Sequence, residues 1–141
     1  MTALAKDTAR KTRNESAAKY RTFVMGASKT IYQGSYVCIV ATTQLADAGA
    51  DTSGFRCVGV ATHGAVSAAS GTTYITVKYG HDELTTCAAT MVGAVDVAVC
   101  LADDNSVDLI ATTTNDVKAG IVTQADSTTT VWLGVCCATP L

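Results

Sequence analysis

Hydrophobic and polar positions alternate in short runs along most of this chain, and the clearest stretch covers residues 92–135. Val95, Val97 and Val99 fall on one side of an extended segment, and Ala102 to Ser106 supplies turn residues. Val107 to Ile110 returns, Thr112 to Asp116 interrupts, and Ala119 to Thr123 follows. A break at Asp126 and Ser127 leads into Thr129 to Val135, where Val131, Leu133 and Val135 share a face. Val-, Ile- and Thr-rich runs separated by Asp, Asn, Ser and Gly predict a β-meander.

The same pattern occurs earlier in the chain. Gly34 to Val40 matches Gly93 to Val99, Gly59-Val60-Ala61-Thr62 matches Gly120-Ile121-Val122-Thr123, and Thr72 to Val77 matches Thr128 to Leu133. In the last block Ile75 and Val77 take the places of Val131 and Leu133. Three blocks in the same order predict an internal duplication, with units at 31–79 and 92–135. Between them, 42–54 and 63–71 read as loops, and Gly80 to Glu83 as a turn. The fold class expected is all-β, a small barrel or sandwich domain built from two similar meander units; either closure suits the pattern.

Composition strengthens this expectation. Of 141 residues, 48% are hydrophobic and only 16% charged, which excludes a disordered chain. No apolar run is long enough to span a membrane as a helix, and Met1 to Lys6 does not begin a secretory signal. Cys38, Cys57, Cys87, Cys100, Cys136 and Cys137 include no Cys-x-x-Cys pair, so they read as small apolar side chains on strands. The adjacent Cys136 and Cys137 are expected on opposite faces of one strand.

Charge adds a second feature. The net charge is −2, yet Lys6, Arg10, Lys11, Arg13, Lys19 and Arg21 are six of the ten basic residues. Only Asp7 and Glu15 oppose them in that stretch, so residues 1–22 form a basic arm of about +4 beside an acidic domain at 23–141. The arm has weak helical periodicity and is expected to be extended, or ordered on a partner. Its poverty in aromatic residues and the acidity of the remainder argue against direct nucleic-acid binding. An acidic protein surface suits it better.

The candidate chemistry is thin. Asp103-Asp104-Asn105 reads as a hairpin tip. His63 and His81 each sit beside a glycine, with no Gly-x-Ser-x-Gly elbow and no second cluster to complete a metal site, so both read as solvated loop. Gly26 to Thr30 lacks the spacing of a phosphate loop, and Asn14-Glu15-Ser16 matches a glycosylation sequon without secretory context. No catalytic group, metal site or cofactor is expected.

Several segments together resemble the head decoration, or cement, proteins of tailed bacteriophages. They are Gly34-Ser35-Tyr36-Val37, Phe55 to Ala61 with its Val58-Gly59-Val60-Ala61, Thr72 to Gly80, Gly93 to Val99, Ala102 to Val107 and Gly120 to Val135. The likeness covers residues 31–135. It implies a β-barrel or β-tulip domain that binds the outside of the expanded head and bridges major capsid protein subunits, as a homo-oligomer with a trimer favoured. It places the chain on the virion surface, after assembly in the host cytoplasm, and implies no enzyme activity. The six arm cations are then the expected capsid-binding residues. The alternative is a head-fibre or tail-associated module whose loops at 42–54 and 63–71 display a host- or carbohydrate-binding surface.

Overall fold

The computed structural model describes residues 3–69, 72–88, 95–110 and 112–135. The strands are β1 (Thr12–Arg13), β2 (Lys19–Val24), β3 (Thr30–Ile31), β4 (Tyr36–Val40), β5 (Ala46–Ala48), β6 (Phe55–Ala61), β7 (Ala65–Val66), β8 (Tyr74–Tyr79), β9 (Asp82–Cys87), β10 (Ala98–Leu101), β11 (Ser106–Leu109), β12 (Lys118–Ala125) and β13 (Thr130–Val135). One 3-10 turn at Glu15–Ala17 joins β1 to β2, and no α-helix occurs among the described residues. The all-β expectation holds.

The same strand order occurs twice. Unit one is β2-β8-β6-β4-β5 and unit two is β9-β13-β12-β10-β11, the same path through five strands. In unit two β9 also lies parallel to β11, with Ser106 beside Thr86 and Val107 beside Cys87, and this closes a five-stranded barrel. The corresponding closure in unit one is a single parallel bridge between Met25 and Ala46. Registers agree residue by residue. Val37, Cys38 and Ile39 pair with Ala48, Asp47 and Ala46; Val99, Cys100 and Leu101 pair with Leu109, Asp108 and Val107. Even the bulge recurs, after Val37 in one unit and after Val99 in the other.

Alternation then decides the core. Met25, Val37, Ala46, Val58, Ile75 and Val77 point into unit one. Cys87, Val99, Leu101, Val107, Val131 and Leu133 point into unit two, where they are joined by Tyr36, Cys38, Cys57 and Val60 from the outer face of β4 and β6. One face of the first unit thus completes the core of the second. Each buried aliphatic side chain contributes about 1.5–3 kcal/mol, so the two units stabilise each other.

Four expectations need correction. Unit one begins at β2 and unit two at β9, rather than at 31 and 92, because the first strand of each carries too few apolar residues to stand out. The boundary at residue 22 cuts through β2, whose Lys19 to Val24 pair with Tyr79 to Tyr74. The alternating valines before β10 are not in a strand: Val95 and Val97 are 43% and 42% exposed, and residues 89–94 lie outside the described residues. Finally, the segments read as display loops contain β5 and β7; β7 pairs with β3, so both are tied into sheets. The assignment of Cys136 and Cys137 to a strand lies outside the described residues.

Candidate functional site

The arm is a strap laid over the junction of the two units. Leu4 N donates to Asp104 Oδ1 at 2.9 Å, and Thr8 N donates to Gln33 O at 2.9 Å. Gln33 N donates in return to Asp7 Oδ1 at 2.8 Å. Gly34, at φ +87, has no Cβ to collide with the Thr8 carbonyl, so the strap lies directly on this turn. Further on, β1 pairs with β9, Thr12 facing Glu83 and Arg13 facing Asp82. An extended chain with few apolar residues gains most of its order here from backbone hydrogen bonds and charge.

Arg10 anchors the strap. Its Nε donates to Gly34 O at 2.6 Å and its Nη2 to Asn105 Oδ1 at 2.7 Å, while the guanidinium lies 5.7 Å from the centre of the Tyr36 ring. Nε also stands 3.4 Å from Glu83 Oε2, with side-chain exposures of 7% and 3%. Since Nε spends its proton on Gly34, that contact is an ion pair without a hydrogen bond, and Glu83 Oε2 receives none. Glu83 Oε1 lies 2.7 Å from His81 Nε2, and His81 is fully buried with no partner for Nδ1. Tyr36 Oη and Thr85 Oγ1 share a 2.6 Å hydrogen bond beside this cluster. Burial first, and then the Glu83 charge, push the Tyr36 phenol far above its ordinary range.

Arg13 is the second anchor. It donates to Asp82 Oδ2 at 3.2 Å and Gln124 Oε1 at 2.8 Å, and stacks 4.3 Å from the centre of the Trp132 ring. Glu15 then meets Lys78 at 2.9 Å. Hydrogen bonds from Thr12 and then Lys78 hold the Glu15 carboxyl below its ordinary range.

These contacts revise the expected site. Of the six arm cations, Arg10 and Arg13 serve the chain's own fold. The acidic surface on which the strap orders belongs to this chain. Lys6, Lys11, Lys19 and Arg21 are exposed, Arg21 with its guanidinium over the Phe23 ring. The reading of His81 as solvated loop is also corrected: the β8–β9 turn tucks against the strap, and Gly80 at φ +87 lets Ala17 O approach where a Cβ would stand at 2.7 Å. His63 is exposed, and its Nε2 accepts from Thr76 N at 3.2 Å. Asp103 is the turn residue expected, accepting from Asn105 N at 2.8 Å and Ser106 Oγ at 2.7 Å. Asp104 beside it is buried, and takes Ser35 Oγ at 3.0 Å and Leu4 N. Burial is the main cause that raises its carboxyl above the ordinary range.

A surface that sequence reasoning missed lies on the outer face of β2 and β8. Tyr20 and Tyr74 are 60% and 58% exposed, and between them Thr22 and Thr76 share a 3.0 Å hydrogen bond. The sequence carries no clear signal for it, because Lys19 and Arg21 share a side of β2 with Phe23 and so break the apolar alternation that would mark the opposite face. Among the described residues no group of three His, Cys, Asp or Glu side chains is placed to hold a metal ion. None of the described helical turns is long or apolar enough to cross a membrane. No protein-family description and no curated protein sequence matches the chain.

Proposed function

We propose that this protein is a structural virion component that binds the outer surface of a phage capsid and bridges major capsid protein subunits. The observation that carries the reading is the outer β2–β8 face, which exposes Tyr20 and Tyr74 on a small β scaffold. Tyrosine presents a large contact area at low entropic cost, and is enriched where protein surfaces meet. Lys6, Lys11, Lys19 and Arg21 supply positive charge to meet an acidic partner. The resemblance to decoration proteins names the partner and carries the trimeric association. A subunit that binds only the expanded lattice stabilises it by mass action, and many copies on one lattice act together.

Co-sedimentation with expanded heads that lack the protein tests this. The intact chain is expected to bind saturably, and the double variant Tyr20→Ser/Tyr74→Ser to lose that binding while keeping its fold. Unchanged binding by the double variant would remove the tyrosine face from the proposal. No binding by the intact chain at any salt concentration would end it.

A further inference from the structure

We infer that Cys38 and Cys57 are a built disulfide site, an oxidisable staple across β4 and β6 that closes when the protein meets a thiol oxidant. The inference rests on strand register and is independent of the proposed function. Cys38 and Cys57 are direct partners in the antiparallel β4–β6 pair. The type of pairing follows from the turn beyond it. Ala41 N donates to Gly54 O, so that pair is hydrogen-bonded, and alternation along the ladder makes Val40–Phe55 non-bonded, Ile39–Arg56 bonded and Cys38–Cys57 non-bonded. Non-bonded partners bring their Cα atoms to about 4.5 Å and their side chains closest together, inside the span of about 4.4–6.8 Å that a disulfide accepts.

Both side chains leave the same face of the sheet, toward the core shared by the two units, and are 0% and 4% exposed. The two thiols act on each other: interaction with Cys57, and then burial, push Cys38 well above the ordinary thiol range. The second unit provides an internal control. Cys100 occupies the place of Cys38, and the residue opposite it is Lys118. Of the described cysteines, Cys87 and Cys100 have no cysteine among the groups that act on their thiols. Among the described residues, only the first unit carries two cysteines at these paired positions.

The oxidant is a small-molecule disulfide such as oxidised glutathione. The two protein thiols give up two electrons and two protons as the S–S bond forms, and the glutathione disulfide is cleaved to two reduced thiols. A thiolate must attack first. With Cys38 buried and its thiol raised, the step waits on local opening of the sheet, so closure is slow in the native protein. It is faster in mild urea or above neutral pH.

The test is to incubate the full chain with oxidised glutathione in sub-denaturing urea at mildly alkaline pH, alkylate in strong denaturant, and map the peptides. The expected result is loss of the Cys38 and Cys57 alkylation sites, a linked peptide pair containing both, and recovery of all six cysteines on reduction. The oxidised form should have a higher urea midpoint than the reduced form. Cys57→Ser should abolish the link and leave a glutathione adduct, whereas Cys100→Ala should keep the link. Should Cys57→Ser fail to fold, Cys38→Ala takes its place. Six alkylatable cysteines after exhaustive incubation, a stable adduct on Cys38 in the intact chain, or links that exclude this pair would each overturn the inference.

Discussion

Removing the Arg10 side chain should destabilise the whole molecule, not just free the strap. In Arg10→Ala, Glu83 stays buried at 2% exposure with its cationic partner gone, and Gly34 O and Asn105 Oδ1 lose their donors. Taking one partner from a buried ion pair costs about 3–5 kcal/mol, mostly because a charge is left without compensation. The two lost hydrogen bonds fall within the same cluster and do not add in full. A net cost of about 4 kcal/mol would be a large share of the roughly 5–15 kcal/mol that holds a domain together. With a urea slope of about 2 kcal/mol/M, the midpoint should fall by about 2 M. Trp132 fluorescence and far-ultraviolet circular dichroism are the probes, since Trp132 sits under Arg13 on the same strap. The double variant Arg10→Met/Glu83→Leu should recover most of the loss, because it removes the stranded charge as well as its partner. Arg10→Lys should fall between, keeping the charge but not the fork of donors. A loss below about 1 kcal/mol would place the pair with ordinary surface ion pairs. A double variant no better than the single would refute the buried-charge argument itself.

Three further outcomes are expected. Gly59 and Gly54 both have positive φ, +144 and +82, but a Cβ on Gly59 would stand 2.7 Å from Lys78 O while one on Gly54 meets nothing nearer than 4.0 Å. Gly59→Ala should therefore cost clearly more than Gly54→Ala, whose penalty is backbone strain alone at about 1 kcal/mol; equal thermal shifts would contradict this. The raised carboxyl of Asp104 means that the folded state holds its proton more tightly than the unfolded chain does. Stability from this group falls as pH rises from the ordinary value of 3.8 through the raised one, so Asp104→Asn should flatten that fall in urea titrations across the acid range. Asp51 has the opposite sign. Thr114 N above all, then Asn115, hold its carboxyl below 3.8, so its contribution is present above that value and lost as pH falls through the lowered one; Asp51→Asn should remove this acid-side loss.

The β class and the likeness of β8 to β13 were legible because the inward positions of both strands are strongly apolar: Ile75 and Val77, Val131 and Leu133. The Gly59/Gly120 match was legible for a similar reason, as both follow the bulge position in their strands. The first block slipped. The sequence aligns Val40 with Val99, whereas the registers make Val37 the equivalent of Val99. Alternation in Val95 to Val99 imitates a strand, and period two alone cannot tell a strand from an extended, solvent-facing approach to one. The first strand of each unit was hidden for another reason. In β9 the inward residues ahead of Cys87 are Glu83 and Thr85, which are buried because the strap brings Arg10 and β4 brings Tyr36 to meet them. No local pattern announces a polar residue whose partner lies some seventy positions away.

The charge run at the start of the chain shows how one signal can carry two meanings. Six cations in twenty-one residues read naturally as a reach toward something else. Two of them instead close over the chain's own acidic surface, where Asp82 and Glu83 begin unit two. A truncation starting near Thr22 therefore cannot ask whether the arm binds a capsid. It would delete β1 and the first half of β2, and leave Glu83 buried without Arg10. The strap and a partner contact must be separated by point changes. Lys6→Glu/Lys11→Glu alters exposed charge while sparing the anchors. If the exposed cations meet an acidic lattice, that variant should bind expanded heads less tightly at low salt, and the difference should shrink as salt is added. Equal binding at every ionic strength would leave the whole basic run as an intramolecular strap.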